Sequence, residues 1–274
     1  MLINILKAVI FGIVEGITEW LPISSTGHMI LLEEFLKFDL SKEFWDMFLV
    51  VIQLGAIMAV VILFWSKLWP FSTKEKYFIK KDIIMQWFKI VVACVPAAII
   101  ELAAGDKIEE MFYNPVVVAI MLILVGILFI IVENNNKNKE SKINTLGEIT
   151  FLTAFIIGMF QVIAAIFPGT SRSGATILGA IMIGVSRSVA AEFTFLLAVP
   201  VMFGASFIKL LKFGFAFTTM ELGVLITGMA VAFIVSIFVI KFLMDYIKKH
   251  DFKVFGWYRI VLGLIVILYF WLVK

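Results

Sequence analysis

Residues 12–28 read Gly12-Ile13-Val14-Glu15-Gly16-Ile17-Thr18-Glu19-Trp20-Leu21-Pro22-Ile23-Ser24-Ser25-Thr26-Gly27-His28. An apolar run carrying two carboxylates stops at a proline, and three hydroxyl residues follow. Proline lacks an amide proton and ends the first helix, while serine or threonine caps the next. The same punctuation returns at Phe167-Pro168-Gly169-Thr170-Ser171-Arg172-Ser173-Gly174. Each break lies inside a long apolar block, roughly residues 5–36 and 147–185. Each block has room for two short helices, neither long enough to cross a hydrocarbon core of about 30 Å. The economical reading is a re-entrant helical hairpin at each break, with its tip at membrane depth.

Six further apolar blocks, at roughly 44–65, 83–104, 114–133, 189–211, 218–244 and 254–273, have the length of spanning helices. Across 274 residues, 62% are hydrophobic, and the mean hydropathy is +1.08, far above that of a soluble domain. The expectation is an all-α, polytopic integral membrane protein with six spanning helices plus two re-entrant hairpins. The first apolar block carries two glutamates and runs on into the fold, so it does not read as a cleaved signal. Cys94, the single cysteine, excludes a disulfide within the chain. The net charge is +3, and no basic stretch is interleaved with stacking aromatics, so no nucleic-acid partner is expected.

The two breaks also align with each other. At an offset of 146, Gly12 meets Gly158, Glu15 meets Gln161, Pro22 meets Pro168, Ser24 meets Thr170, Ser25 meets Ser171 and Asp46 meets Glu192. This reads as a duplication within one integral-membrane domain. Repeat one covers about 1–133, a linker about 134–146, and repeat two about 147–274. Three spans per unit is an odd number, so the second unit is inverted, and the two broken segments meet near the midplane. Lys67, Lys74, Lys76, Lys80, Lys81, Lys137, Lys139, Lys142, Lys241, Lys248, Lys249 and Lys253 fall on one side of this topology; Lys42, Lys107 and Lys212 fall on the other. The lysine-rich side is then cytoplasmic and both termini face outward.

Glu15 and Glu19 are four residues apart and share a helix face. Gly12 and Gly16 permit another backbone to approach closely. Two carboxylates within a membrane helix need a cation, a proton or water. They read either as a shared divalent-metal site, magnesium or calcium by ligand hardness, or as a solvated pair facing a wet cleft. Ser24, Ser25 and Thr26 include the cap of the next helix; His28 lies within a turn of them and is either structural or catalytic. Arg172 offers a planar fork for phosphate oxygens, beside the N-terminus of a helix starting near Gly174; alternatively it pairs with Glu15 or Glu19. Arg187, with Glu192 nearby, reads as a helix-end or inter-helix ion pair. Gln53 and Gln161 read as packing or supporting polar groups, and His250 as solvated.

Residues 12–28, together with Pro168 to Thr176, resemble the two signature motifs of the undecaprenyl-diphosphate phosphatases, also called bacitracin-resistance proteins. Gly184 to Pro200 and Val51 to Ala56 are similar to that family as well. The resemblance implies hydrolysis of a polyprenyl diphosphate lipid to the monophosphate, recycling the carrier of peptidoglycan synthesis. It implies a divalent cation on Glu15 and Glu19, with Glu19, Ser25, His28 and Arg172 as catalytic residues. The family's phosphate-binding motif falls on Ser171, Arg172 and Thr176, and Ser24, Thr26 and Ser173 are expected to contact substrate with them. The resemblance further implies a bacterial inner (cytoplasmic) membrane location, with the site facing outward. Leu49 departs from members that carry an acid there. Ser25 attacking with His28 as base, and His28 orienting a metal-bound water, both remain open. A lipid-headgroup carrier and a purely structural membrane protein are the competing classes; the oligomeric state stays open, a homodimer included.

Overall fold

A computed structural model describes residues 2–73, 75, 78–137 and 139–272. Two of the lysines used above for orientation, Lys74 and Lys76, lie outside the described residues. The fold is all-helical. Helices α1 (Leu2–Thr18) and α2 (Ser25–Phe35) flank the first break. They are followed by α3 (Lys42–Val51), α4 (Gln53–Leu63), α5 (Trp65–Leu68), α6 (Lys81–Phe112) and α7 (Pro115–Asn136). Helices α8 (Phe151–Ile166) and α9 (Arg172–Met182) flank the second break; α10 (Arg187–Phe213), α11 (Thr219–Tyr246) and α12 (Lys253–Leu272) complete the chain. Among the described residues, β pairing is limited to isolated bridges between Phe71 and Ile79 and between Ile143 and Val185.

Among the described residues, six segments are long and apolar enough to cross a membrane: α3 with α4 as Lys42–Leu63, then α6, α7, α10, α11 and α12. This is a multi-pass membrane protein by the length and composition of its helices. The first of these segments is two helices joined at Ile52. Gly55 donates to the Ile52 carbonyl at 3.0 Å there, a local tightening of the helix. The helices beside the breaks are shorter. At 1.5 Å per residue, α1 and α8 span about 25 Å, and α2 and α9 about 16 Å.

The packing order is not the chain order. Helix α1 packs on α11, α8 on α6, and α7 on α12, while α10 lies against α3, α4, α6 and α9. Small residues permit these approaches, because lipid offers little hydrophobic drive and contact must come from close fit. A Cβ on Gly12 would stand 2.7 Å from the Gly228 carbonyl oxygen, and one on Gly16 would stand 2.8 Å from that of Ala232.

Polar contacts gather the loops at two ends. At one end, Glu133 accepts three bonds from Arg187 at 2.5–3.1 Å and one from the Phe252 amide at 3.0 Å. Lys67 pairs with Glu192 at that end. Arg187 is therefore an inter-helix partner, but of Glu133, 54 positions earlier, while Glu192 takes a lysine. At the other end, Lys212 pairs with Asp106 and Phe44 packs edge-on against Phe213.

Candidate functional site

The two breaks come together in space. Ser24 caps α2 by accepting from the Gly27 amide at 3.4 Å, and Ser171 caps α9 by accepting from the Gly174 amide at 3.1 Å. Both caps have positive φ, 71° and 68°, an uncommon and costly backbone region for residues with a Cβ. Helix α9 starts at Arg172, two residues before Gly174, because its cap is Ser171. The caps also correct the sequence alignment. By its place as helix cap, Ser171 matches Ser24 rather than Ser25, since the second loop carries one more residue between proline and cap. Gly169 supplies that residue's left-handed turn at φ +90°, where a Cβ would meet the Val118 carbonyl oxygen at 2.6 Å. Ser25 and Arg172 therefore occupy the same first helical position, one in each loop.

Those two residues grip one carboxylate. Arg172 Nη2 donates to Glu19 Oε1 at 2.5 Å, and Ser25 Oγ donates to Glu19 Oε2 at 2.8 Å. Ser173 Oγ donates to the Glu19 backbone carbonyl at 3.2 Å. Glu19, at the end of the first helical run, is thus bonded to both loops at once. Helix α1 continues to Thr18, and the Glu19 amide still donates to the Glu15 carbonyl at 3.0 Å, which keeps the two carboxylates on one face. Glu15 is 1% exposed, and its Oε1 has no hydrogen-bond partner among the described residues. Arg172 Nη1 and both amide atoms of Gln161 are likewise buried without partners.

Glu19, Gln161 and Arg172 border a cavity of about 520 Å³; Glu15 lies buried behind them. Glu19, Ser25, Thr26, Gln161, Ser171 and Arg172 line its polar end. Ala97, Ala98, Leu102, Val201, Ala205 and Ile208, from α6 and α10, form an apolar wall that carries one acid, Glu101. A polar pocket continued by an apolar slot suits an amphiphile with an anionic head.

Five of the expected site residues are not in the cavity wall: Glu15 and Ser173 are buried beside it, Ser173 with its hydroxyl on Ser171 and the Glu19 carbonyl, and Ser24, His28 and Thr176 stand elsewhere. Thr176 is 0% exposed, is absent from the cavity wall, and bonds to the Arg172 carbonyl and to Thr194 Oγ1, both at 2.9 Å. Ser24 is 1% exposed and spends its hydroxyl on the cap. His28 is absent from the cavity wall: its Nδ1 meets the Ser24 carbonyl at 2.8 Å and its Nε2 meets the Tyr258 hydroxyl at 2.7 Å.

The family model "Bacitracin resistance protein BacA" matches residues 8–265. The chain belongs to the BacA family.

Undecaprenyl-diphosphatases from three bacteria illustrate the similarity. That of Desulfitobacterium hafniense is 64% identical over 269 residues, covering 98% of this chain and 97% of the relative. That of Lachnoclostridium phytofermentans is 65% identical over 272 residues, 99% of each chain. That of Acetivibrio thermocellus is 63% identical over 273 residues, covering both in full. In this BacA chain, residue-by-residue reading missed two residues of α12: Tyr258, which meets His28 of α2, and Arg259, which meets both loops. Arg259 is 0% exposed and donates to the carbonyls of Pro22, Gly169 and Thr170 at 3.1, 2.8 and 2.8 Å. The one available signal was an arginine inside an apolar block with no acid a helical turn away on either side.

Proposed function

We propose that this chain is an undecaprenyl-diphosphatase that hydrolyses polyprenyl diphosphate to the monophosphate and inorganic phosphate. It would thereby recycle the carrier lipid of peptidoglycan synthesis and give bacitracin resistance. The observation that carries the reading is the cluster of Glu19, Ser25 and Arg172, built from two loops at the polar end of an apolar-walled cavity. The full-length relatives bearing that name support it.

The diphosphate enters the polar end while its tail lies along α6 and α10. Arg172 exchanges Glu19 for phosphate oxygens, using Nη1 as well as Nη2 in a bidentate grip. The first turns of α2 and α9 direct free amides and helix-dipole charge at the same group. Release from Arg172 frees Glu19 to take the Ser25 proton at the contact already made. Ser25 Oγ then bonds to the terminal phosphorus, the bond from that phosphorus to the bridging oxygen breaks, and the lipid monophosphate leaves. Water hydrolyses the phosphoserine and returns the proton. His28 as base would first have to leave Tyr258; in the present arrangement it fixes the first turn of α2.

A divalent cation fits Glu15 and Glu19. Glu15 has a free buried oxygen, and no trio of His, Cys, Asp and Glu gathers among the described residues. Two carboxylates that leave the remaining positions to phosphate and water match magnesium better than a closed protein cage does. When bound, the ion neutralises phosphoryl charge and polarises the phosphorus.

The lengths of α1, α2, α8 and α9 support two re-entrant hairpins. The exchange of partners, with α1 on α11 and α8 on α6, supports the inverted repeats of about 1–133 and 147–274 within one domain. The cavity wall runs through residues 97–102 and 200–208 toward the end holding Lys107 and Lys212, which supports a site open to the outer face of the cytoplasmic membrane.

The test is phosphate release from undecaprenyl or farnesyl diphosphate by purified protein. Release is expected, lost on chelation and restored by magnesium or calcium. No release under any of these conditions would favour a lipid carrier.

A further inference from the structure

Arg259 is a fully buried arginine with no acid paired to it among the described residues. It sits in α12, 0% exposed, and its recorded partners are three backbone carbonyls. One of them, Pro22, belongs to the first loop, and the other two, Gly169 and Thr170, to the second. A buried guanidinium without a counter-charge is costly in a membrane protein and marks a task. Here all three acceptors lie just before the helix caps Ser24 and Ser171, where the backbone bends into its unfavoured region. Gly174 leaves space for the group: a Cβ there would stand 3.2 Å from Arg259 Nη1.

The contact also sets which way the second loop faces. Peptide bonds here are trans, so an N–H points opposite to the carbonyl of its own peptide. Holding the Thr170 carbonyl on Arg259 turns the Ser171 amide away from α12. Besides Arg259, two contacts of Glu19 tie the loops among the described residues, its carboxylate on Arg172 and its carbonyl on Ser173. The first of these is surrendered when phosphate takes Arg172. Arg259 makes no contact with Glu19 or Arg172 and keeps its hold through that exchange.

We infer that Arg259 is a positioning residue that locks the two loops in register, so that Glu19 and Ser25 of one stay aligned with Arg172 of the other while substrate is bound. The inference rests on the proposed phosphatase reaction for its kinetic consequence, but not for the lock itself.

The test uses the full-length protein with R259K, R259Q and R259M. Two readouts are taken: farnesyl diphosphate turnover, and hydrogen–deuterium exchange in peptides covering 19–27 and 167–176, with 247–252 as the control loop. In R259M, kcat should fall about 100-fold, as expected for misaligned reacting groups, with KM changed by no more than about threefold. Both loops should exchange faster together while the control loop does not. R259K should recover part of kcat, since an ammonium can still reach some of the carbonyls. Faster exchange in one loop alone would overturn the inference. So would R259K no better than R259M, or a loss of activity that merely tracks the folded fraction. If R259M does not fold, R259K and R259Q carry the same comparison. A wild-type protein that releases no phosphate would remove the phosphatase reading and leave the exchange experiment to judge the lock.

Discussion

Glu19 shows why residue identity at this site is exacting. Its two oxygens serve different partners, Arg172 and Ser25. Glu19→Gln keeps the size but removes the base, so kcat should fall by about 100-fold or more, read as phosphate release at saturating substrate. Arg172→Lys keeps the charge but loses the planar fork. A comparable fall in kcat/KM is expected, and near-normal turnover would contradict the grip on phosphate. Thr176 belongs to a different account. Its hydroxyl is shared with Thr194 in a sealed position. Thr176→Val should lower stability by about 1 kcal/mol, by taking the Thr194 hydroxyl's partner away, and Thr194→Val by less, since Thr176 keeps the Arg172 carbonyl. The double variant should cost less than the sum in thermal unfolding; simple additivity would mean the two hydroxyls do not depend on each other.

Among elements, the pair α1–α11 is held by fit and the lysine-rich end by charge. Gly16 has no room for a Cβ against the Ala232 carbonyl. Gly16→Leu should separate the helices and cost about 1–3 kcal/mol, seen as a lower melting temperature in detergent. Glu133 is different: its carboxylate is fully covered, bonded by Arg187 and capping the Phe252 amide. Glu133→Ala leaves an arginine and an amide without their partner and should cost about 3 kcal/mol. The breaks flanked by α1/α2 and α8/α9 were legible because proline and hydroxyl caps are local signals. The exact starts were not. A helix begins where its cap side chain finds an amide, and Ser171 does so with Gly174, which moved the start of α9 back to Arg172.

At the scale of the whole molecule, orientation is the open physical question with a direct measurement. A cysteine at position 212 should react with an impermeant thiol reagent on intact cells. One at position 248 should react only after the membrane is opened, because lysine-rich loops stay cytoplasmic. The reverse pattern would turn the site inward.

Composition, block length and the two capped prolines determined a helical membrane protein of six spans with two broken segments. They also brought forward Glu19, Ser25 and Arg172, since hydropathy, helix breaking and charge act over a few neighbouring residues. Tertiary structure alone decided the rest. It joined Glu19 to Arg172 across 153 positions, turned Thr176 and His28 from the cavity, and drew Arg259 from the last helix onto both loops. Those outcomes depend on which helix faces which, and helix partners are chosen by close fit between distant segments, which no local pattern encodes.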